Sequence, residues 1–320
     1  MTTPWLPGPD RIEESYTRLR PMVRRTPVVE IAGGDLGVAG RVLLKLELLQ
    51  HTGSFKARGA LNAVLSMPST VTGAVAASGG NHGAALAWAC GIAGLEADIF
   101  VPATSPIEKV RRIERYGATA HVVDGYYPEA YEASREWARD RAVVAVHAYD
   151  EEAILAGAAG VGVEIAEQAP YARRVLVPCG GGGLYGGTAL ALRDIAPVVP
   201  VEPERCASLA AALAAGERVD VPVSGVAADS LGAARTGERA FAVATELGAE
   251  PLLVSDDQIL AARRLLWEEC RVLAEPGAVT ALAALTAGKV DVRDGETVVV
   301  VISGANHPTI PDDVVAPVST

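Results

Sequence analysis

Short β-branched runs alternate with longer helical patterns along almost the whole chain, and this alternation restricts the fold more than any single motif does. Strands are expected over Val42 to Glu47, Ala74 to Ala77, Ala97 to Val101, Ala120 to Val123, Val175 to Val177, Val198 to Val201, Leu252 to Val254 and Thr297 to Ile302. Between them lie helical patterns, among them Ala57 to Leu65, Ile107 to Tyr116, Glu151 to Gln168 and Asp256 to Arg271. The pattern predicts an α/β fold with mostly parallel sheets flanked by helices. Half of the 320 residues are hydrophobic and only 5% aromatic, with glycine and alanine plentiful, which suits a large core of helices packed closely on sheets. That length fits one or two closely joined domains. No repeat of fixed period and no low-complexity linker interrupts it.

A formal charge of −11 argues against a nucleic-acid or anionic-membrane partner. Cys90, Cys179, Cys206 and Cys270 are far apart with no Cys-x-x-Cys spacing, so neither a zinc site nor a disulfide framework is expected and a cytoplasmic protein is. Met1 to Pro7 lacks the basic and apolar regions of a signal peptide. Val71 to Leu95 carries no Asp, Glu, Lys or Arg, but Ser78 to Gly83 at its centre is polar and turn-forming, which spoils it as a membrane span.

Four stretches carry chemistry. His51 to Ala60 links a strand to a helix, with Thr52-Gly53-Ser54 as turn and N-cap, so Lys56 falls in the first helical turn. The positive end of the helix dipole disfavours a cation there unless its amine is neutralised, as in a Schiff base with a carbonyl; position alone favours a solvated lysine that happens to start a helix. Ala77 to Gly83 follows a strand and opens the helix Ala84 to Ala93, a row of amides suited to a carboxylate or an ordinary turn. Pro178 to Gly187 holds four successive glycines between a strand and the helix Thr188 to Ile195, where amides and a helix dipole converge on one anion. Gly181-x-Gly183-x-x-Gly186 also fits a dinucleotide fingerprint, with Glu202 ending the next strand, so an NAD-dependent oxidoreductase is a rival. The last stretch, Thr297 to Asn306, is a buried strand ending at Ser303.

Ser54-Phe55-Lys56-Ala57-Arg58-Gly59-Ala60 resembles the lysine motif of fold-type II pyridoxal-phosphate enzymes, the tryptophan-synthase-β-like group. The resemblance is greatest to threonine/serine dehydratases and serine racemases, and it spans most of the chain in matching order. It implies that Lys56, next to Phe55, bonds covalently to pyridoxal 5'-phosphate and later moves protons. By the same resemblance Asn81 bonds the 3-oxygen of the cofactor, Gly180, Gly181, Gly182, Gly183 and Leu184 cradle its phosphate, and the Ser303 hydroxyl meets its ring nitrogen. Ser78, Gly79, Gly80, Asn81 and His82 would grip the substrate carboxylate. A neutral serine at the ring nitrogen makes a weaker electron sink than an aspartate would, which favours elimination. Gly79 stands where serine racemases have a serine on the face opposite the lysine, so elimination without racemisation is expected. Val201-Glu202-Pro203 resembles the start of a divalent-cation site, but Ser208 replaces its second carboxylate. Leu273 to Ala278 resembles a further family motif, without a role for Glu275.

The resemblance also implies an inserted small domain, 73–147, within a large domain made of 1–72 and 148–320, with no room for a C-terminal regulatory domain. His147-Ala148 and Gly157-Ala158-Ala159-Gly160 depart from the family pattern and bear on substrate identity. The expected protein is a PLP-dependent ammonia-lyase that converts threonine or serine to a 2-oxo acid and ammonia, assembled as a homodimer. Alternatives are another PLP-dependent β-elimination or β-replacement, the oxidoreductase, and a PLP-binding module without turnover.

Overall fold

The structure, a computed structural model, describes residues 5–307; Met1 to Pro4 of the stretch read for a leader, and 308–320, lie outside the described residues. The strands are β1 (Val28–Ile31), β2 (Arg41–Leu46), β3 (Gly73–Ala77), β4 (Glu96–Pro102), β5 (Thr119–Val123), β6 (Val143–Ala145), β7 (Arg174–Pro178), β8 (Val198–Pro203), β9 (Leu252–Val254) and β10 (Thr297–Ile302). One sheet runs β1-β2-β10-β7-β8-β9, the other β5-β4-β3-β6. Every pairing is parallel except β1 with β2. The four-stranded sheet thus comes from one continuous stretch, and the six-stranded sheet from both flanks.

Burial explains why these runs became central strands. All six residues of β10 and all five of β3 are buried, as parallel strands covered on both faces require. Side chains alternate between faces: Val298, Val300 and Ile302 pack in one core with Val42, Leu44 and Leu46, while Val299 and Val301 join Leu43 in the core on the other face. In β3, Ala74 and Ala76 likewise face one core and Val75 and Ala77 another.

Three local expectations need correction. The stretch read as one helix is two, Glu152–Ala158 and Gly160–Gln168, meeting at Ala159, whose φ of −57° and ψ of −24° stay helical. Two others begin earlier than expected, at Asn81 and at Gly183, because a glycine-rich first turn is compatible with helix when tertiary packing holds it. The cap expected from Thr52-Gly53-Ser54 is not made. Phe55 is the N-cap of the helix Lys56–Leu65, without a side-chain cap, and the Thr52 and Ser54 hydroxyls are buried without a hydrogen bond. Backbone pairing across the fold replaces it: Phe55 N–H donates to the Ser303 carbonyl at 3.1 Å and Ala305 N–H to the Gly53 carbonyl at 3.0 Å.

The Lys56–Leu65 helix is anchored from behind by buried charges. Arg58 donates through Nε and Nη2 to both carboxylate oxygens of Glu47, each at 2.8 Å, and through Nη1 and Nη2 to Glu164 at 2.8 and 2.9 Å. Lys45 Nζ reaches Glu164 at 2.5 Å, and Thr26 Oγ1 donates to Glu47. All four charged residues are at most 1% exposed, and two cations balance two carboxylates. Burial alone would push Glu47 up; the Arg58 charge and hydrogen bonds, with Lys45, hold it below the usual carboxylate range.

Breaking such a set is more damaging than its net contribution suggests, since the remaining charges lose their partner. Arg58→Met is expected to lower unfolding free energy by about 3–5 kcal/mol, read as a lower urea midpoint at unchanged slope. A midpoint like that of the wild type would show that Glu47 and Glu164 do not depend on Arg58.

Candidate active site

Four motifs separated in sequence follow the carboxyl ends of parallel strands. Lys56 comes after β2, Ser78 to His82 after β3, the tetraglycine after β7 and Ser303 after β10. In open α/β sheets this is the end where ligands bind, because chain turns there present free amides and helix N-termini. Direct contacts join the motifs. Lys56 Nζ donates to the Ala148 carbonyl at 2.7 Å, and the ring of the next residue, Tyr149, lies against Gly181. Ser303, 5% exposed, holds the Phe55 amide.

Lys56 is oriented by the 3-10 turn His51–Gly53, in which Thr52 has φ 61° and Gly53 φ 74°. Its ammonium lies 5.1 Å from the centre of the Phe55 ring. Burial lowers Lys56 to about 8, with the Glu275 charge opposing the drop. A lysine held there has a substantial neutral fraction near physiological pH, the form that attacks a carbonyl.

Asn81 opens the helix Asn81–Ala93. Its Nδ2 donates to Glu275 Oε1 at 2.7 Å, and its Oδ1 accepts from Asn306 Nδ2 at 2.7 Å. Asn306 N–H donates to Glu275 Oε2 at 3.1 Å, and Asn306 Nδ2 also donates to the Thr52 carbonyl at 2.7 Å. Burial pushes Glu275 up to about 7 against the Asn81 bond, with Asp229 raising it further and Asn306 and Lys109 lowering it. Ser78 Oγ accepts from Gly80 N–H at 3.3 Å, within the loop itself. His82 is buried, with Nε2 3.0 Å from the Val146 carbonyl, and burial together with the Lys56 charge lowers it to about 3. Its ring is therefore a neutral packing group, and what it offers an anion is its backbone amide.

The tetraglycine loop is closely backed. A β-carbon on Gly180 would stand 2.7 Å from the Leu231 carbonyl oxygen, one on Gly181 2.4 Å from the Tyr149 ring and one on Gly182, whose φ is +88°, 2.2 Å from Ala240 Cβ. Glycine is thus required by packing whether or not an anion binds, a return that the sequence alone does not reveal. The amides of Gly183, Leu184 and Tyr185 open the helix Gly183–Leu192 and have no acceptor within it. Cys179 is buried, which raises its thiol well above its ordinary range and leaves it a packing residue.

Glu202 is fully buried, and its two oxygens accept from the amides of Leu209 at 2.9 Å and Ala210 at 2.8 Å. It caps the helix Ser208–Ala215. It is therefore not free to meet a ribose hydroxyl, which removes the support for the dinucleotide reading. No helix among the described residues is long and apolar enough to cross a membrane.

Glu275, Asn306 and Tyr149 are the residues that sequence reasoning missed. The Leu273 to Ala278 motif pointed at the first, and nothing local marked the other two. Beside Glu275 a cavity of about 250 Å³ is lined by Lys109, Asp229, Ser230 and His307 among others, with Lys109 and Asp229 joined as an ion pair across it.

The donor set fits a phosphate-bearing aldehyde. It offers a reactive amine on Lys56, a helix N-terminus after four glycines, and a buried Thr236 hydroxyl that has no hydrogen bond and lies beside Gly182. The profile of the pyridoxal-phosphate dependent enzymes matches residues 19–304. An L-threonine ammonia-lyase of Geobacter sulfurreducens is 34% identical over 300 residues, 92% of this chain and 74% of that protein. The crystal structure of a T.th. threonine deaminase superposes with a TM-score of 0.87 at 32% identity, over 95% of this chain and 100% of that one. Maize serine racemase superposes at 0.88 with 28% identity, over 94% of each.

The lowered Lys56 has a stability signature. The neutral amine is favoured in the fold, so the associated stability is present above the ordinary lysine range and declines as pH falls from there through about 8. In ligand-free protein, Lys56→Met is expected to melt higher than wild type at pH 7, with the gap closing between pH 8 and about 10.5. Parallel melting curves at all pH values would refute a depressed lysine.

Proposed function

The chain belongs to the pyridoxal-phosphate dependent enzymes, and from that premise we propose that it is a threonine or serine ammonia-lyase working through Lys56. The convergence of Lys56, Asn81, the tetraglycine and Ser303 on one end of the two sheets is the observation that carries this reading. Pyridoxal 5'-phosphate, when bound, supplies the electron sink that makes the α-proton of an amino acid removable.

The amides from Gly180 to Leu184 would hold its phosphate, Phe55 would flank it, Asn81 would donate to its ring oxygen and the Ser303 hydroxyl would meet its ring nitrogen. The Ser78 to His82 amides suit the substrate carboxylate. Lys56 would hold the cofactor through its amine and, whenever that amine is free, would take the α-proton, for which a near-neutral amine in a buried setting is well matched. Loss of the β-hydroxyl as water leaves an enamine that hydrolyses to the 2-oxo acid and ammonia. This reading takes 73–147 as a small domain inserted into the large one, 1–72 and 148–320, in a cytoplasmic homodimer.

On this reading position 79 contributes no proton carrier opposite Lys56. Gly79 has no side chain, and a β-carbon added there would stand 2.5 Å from Ser105 Oγ and 3.1 Å from Val101 Cγ1. A serine at Gly79 therefore requires Ser105 to move.

Purified protein is expected to bind pyridoxal phosphate with an absorption band at the visible edge and to release ammonia and 2-oxo acid from L-threonine or L-serine. Lys56→Ala should lose the band and at least about 10²–10⁴-fold of the rate. A colourless protein that forms no 2-oxo acid would overturn the assignment. During turnover by the wild type, chiral chromatography should find no D-serine or D-allo-threonine accumulating beside the 2-oxo acid. Epimer formed at a comparable rate would place a second proton carrier opposite Lys56.

A further inference from the structure

The Asn81 amide has only one orientation open to it. Were it flipped, Nδ2 would face the donor Asn306 Nδ2 whatever the state of Glu275, and with Glu275 ionised Oδ1 would face a second acceptor, so two favourable contacts would become two repulsive ones. Asn306 cannot turn to accommodate a flip, because its Nδ2 also donates to the Thr52 carbonyl. Glu275 is fixed in turn by its backbone, whose N–H donates to the Gly304 carbonyl at 3.1 Å, and by the Asn306 amide on Oε2.

The surrounding glycines make room for this arrangement. A β-carbon on Gly304 would stand 2.5 Å from Glu275 Oε1, and one on Gly53 2.5 Å from Asn306 Oδ1. The network therefore ties four chain segments together: the turn before Lys56, the start of the Asn81–Ala93 helix, the segment around Glu275 and the loop after β10. Of the polar capacity on the Asn81 side chain, one Nδ2 hydrogen is left uncommitted by these bonds, and its direction is set by the other two.

We propose that Glu275 and Asn306 are positioning residues that lock the Asn81 amide with its remaining N–H presented to the ring oxygen of the cofactor. This rests on the reading that Asn81 meets that oxygen. Glu275 acts through Asn81, which distinguishes it from a group that handles a substrate proton. A fixed donor beside a ring oxygen favours its anionic form, so the absorption band of the bound cofactor reports directly on the clamp.

The test is a titration of each protein with pyridoxal phosphate, following absorbance and fluorescence, for wild type, Asn81→Ala, Glu275→Ala, Glu275→Gln, Asn306→Ala and the Asn81→Ala/Glu275→Ala double variant. Glu275→Ala and Asn306→Ala are expected to shift the band in the same direction as Asn81→Ala and to weaken binding about tenfold, the loss of one oriented hydrogen bond. The double variant should be no worse than Asn81→Ala alone, because both changes remove the same contact. Glu275→Gln should fall between, since its amide can still accept from Asn81 but sets a second donor against the Asn306 N–H. If Glu275→Ala fails to fold, Glu275→Gln and Asn306→Ala carry the same comparison. A displaced band in Asn81→Ala with wild-type spectra and affinity in the Glu275 and Asn306 variants would overturn the clamp and leave the reading of Asn81 standing. Additive losses in the double variant would overturn it too. An Asn81→Ala protein indistinguishable from wild type would instead remove the reading beneath it, and the proposal with it.

Discussion

Arg58 is the fixed point of this molecule. It lies two residues beyond Lys56, in the same helix, and its guanidinium is satisfied on both edges by the buried carboxylates of Glu47 and Glu164. A planar fork matched to two carboxylates allows little rotation or sliding, which a lysine or an apolar side chain would not prevent. Desolvation offsets much of the Coulombic gain, so the return is chiefly register rather than stability. Glu47 follows β2, and Glu164 belongs to the helix Gly160–Gln168, so one side chain locates the Lys56 helix against both sheet and helix layer. Close backbone contact supplements it. A β-carbon on Gly157 would meet the Arg58 carbonyl oxygen at 2.6 Å and Gly59 Cα at 2.8 Å. With its helix held from behind, Lys56 is left with its amine bonded to the Ala148 carbonyl.

The rest of the site is assembled by sheet topology. Parallel strands deliver their following turns to one end, so residues as distant as Asn81 and Asn306, 225 positions apart, come within hydrogen-bonding distance. The stretch from His147 to Asp150 then joins the pieces. The Ala148 carbonyl receives Lys56, Tyr149 backs the tetraglycine, and the Asp150 carboxylate accepts from the amides of Glu238 at 2.8 Å and Arg239 at 3.0 Å. One short turn therefore touches the lysine, the tetraglycine loop and the segment that carries Thr236. This gives physical content to the departure from the family pattern at His147-Ala148: the contact to Lys56 is made by a backbone carbonyl, which alanine supplies as well as any other residue.

How legible these features are in the sequence depends on the range of the interaction. Buried parallel strands advertise themselves as β-branched runs, so β7 and β10 can be read to within a residue of their ends. Helix starts at Asn81 and Gly183 are read too late because glycine has poor helix propensity, and packing, against Ile99 and Ile113 in the first and against Tyr149, Leu155 and Ala240 in the second, makes such a first turn stable. The expected cap at Thr52-Gly53-Ser54 fails for a related reason. A strand-like bridge from Ser54 to Gly304 takes over the backbone groups that a local cap would have served. The pairing of Glu275 with Asn81 carries no local signal, since a carboxylate 194 residues from its amide partner has no period or spacing to betray the contact, even though each lies in a motif of its own.

Glycine in this site does two things at once, and separating them changes how the motifs are understood. In the sequence, four consecutive glycines argue for an anion because nothing local compensates for their flexibility. In the structure Tyr149, Leu231 and Ala240 press on the loop from behind, so side chains are excluded by neighbours before any ligand is considered. Gly53 and Gly304 behave alike, leaving room for Asn306 and Glu275. Packing on one side forces the backbone to the other, and a backbone pressed forward without side chains presents its amides to whatever lies in front. Close packing behind the loop and free amides in front of it are thus one constraint seen from two sides. A substitution that relieves the first disturbs the second, even where the new side chain points to the rear.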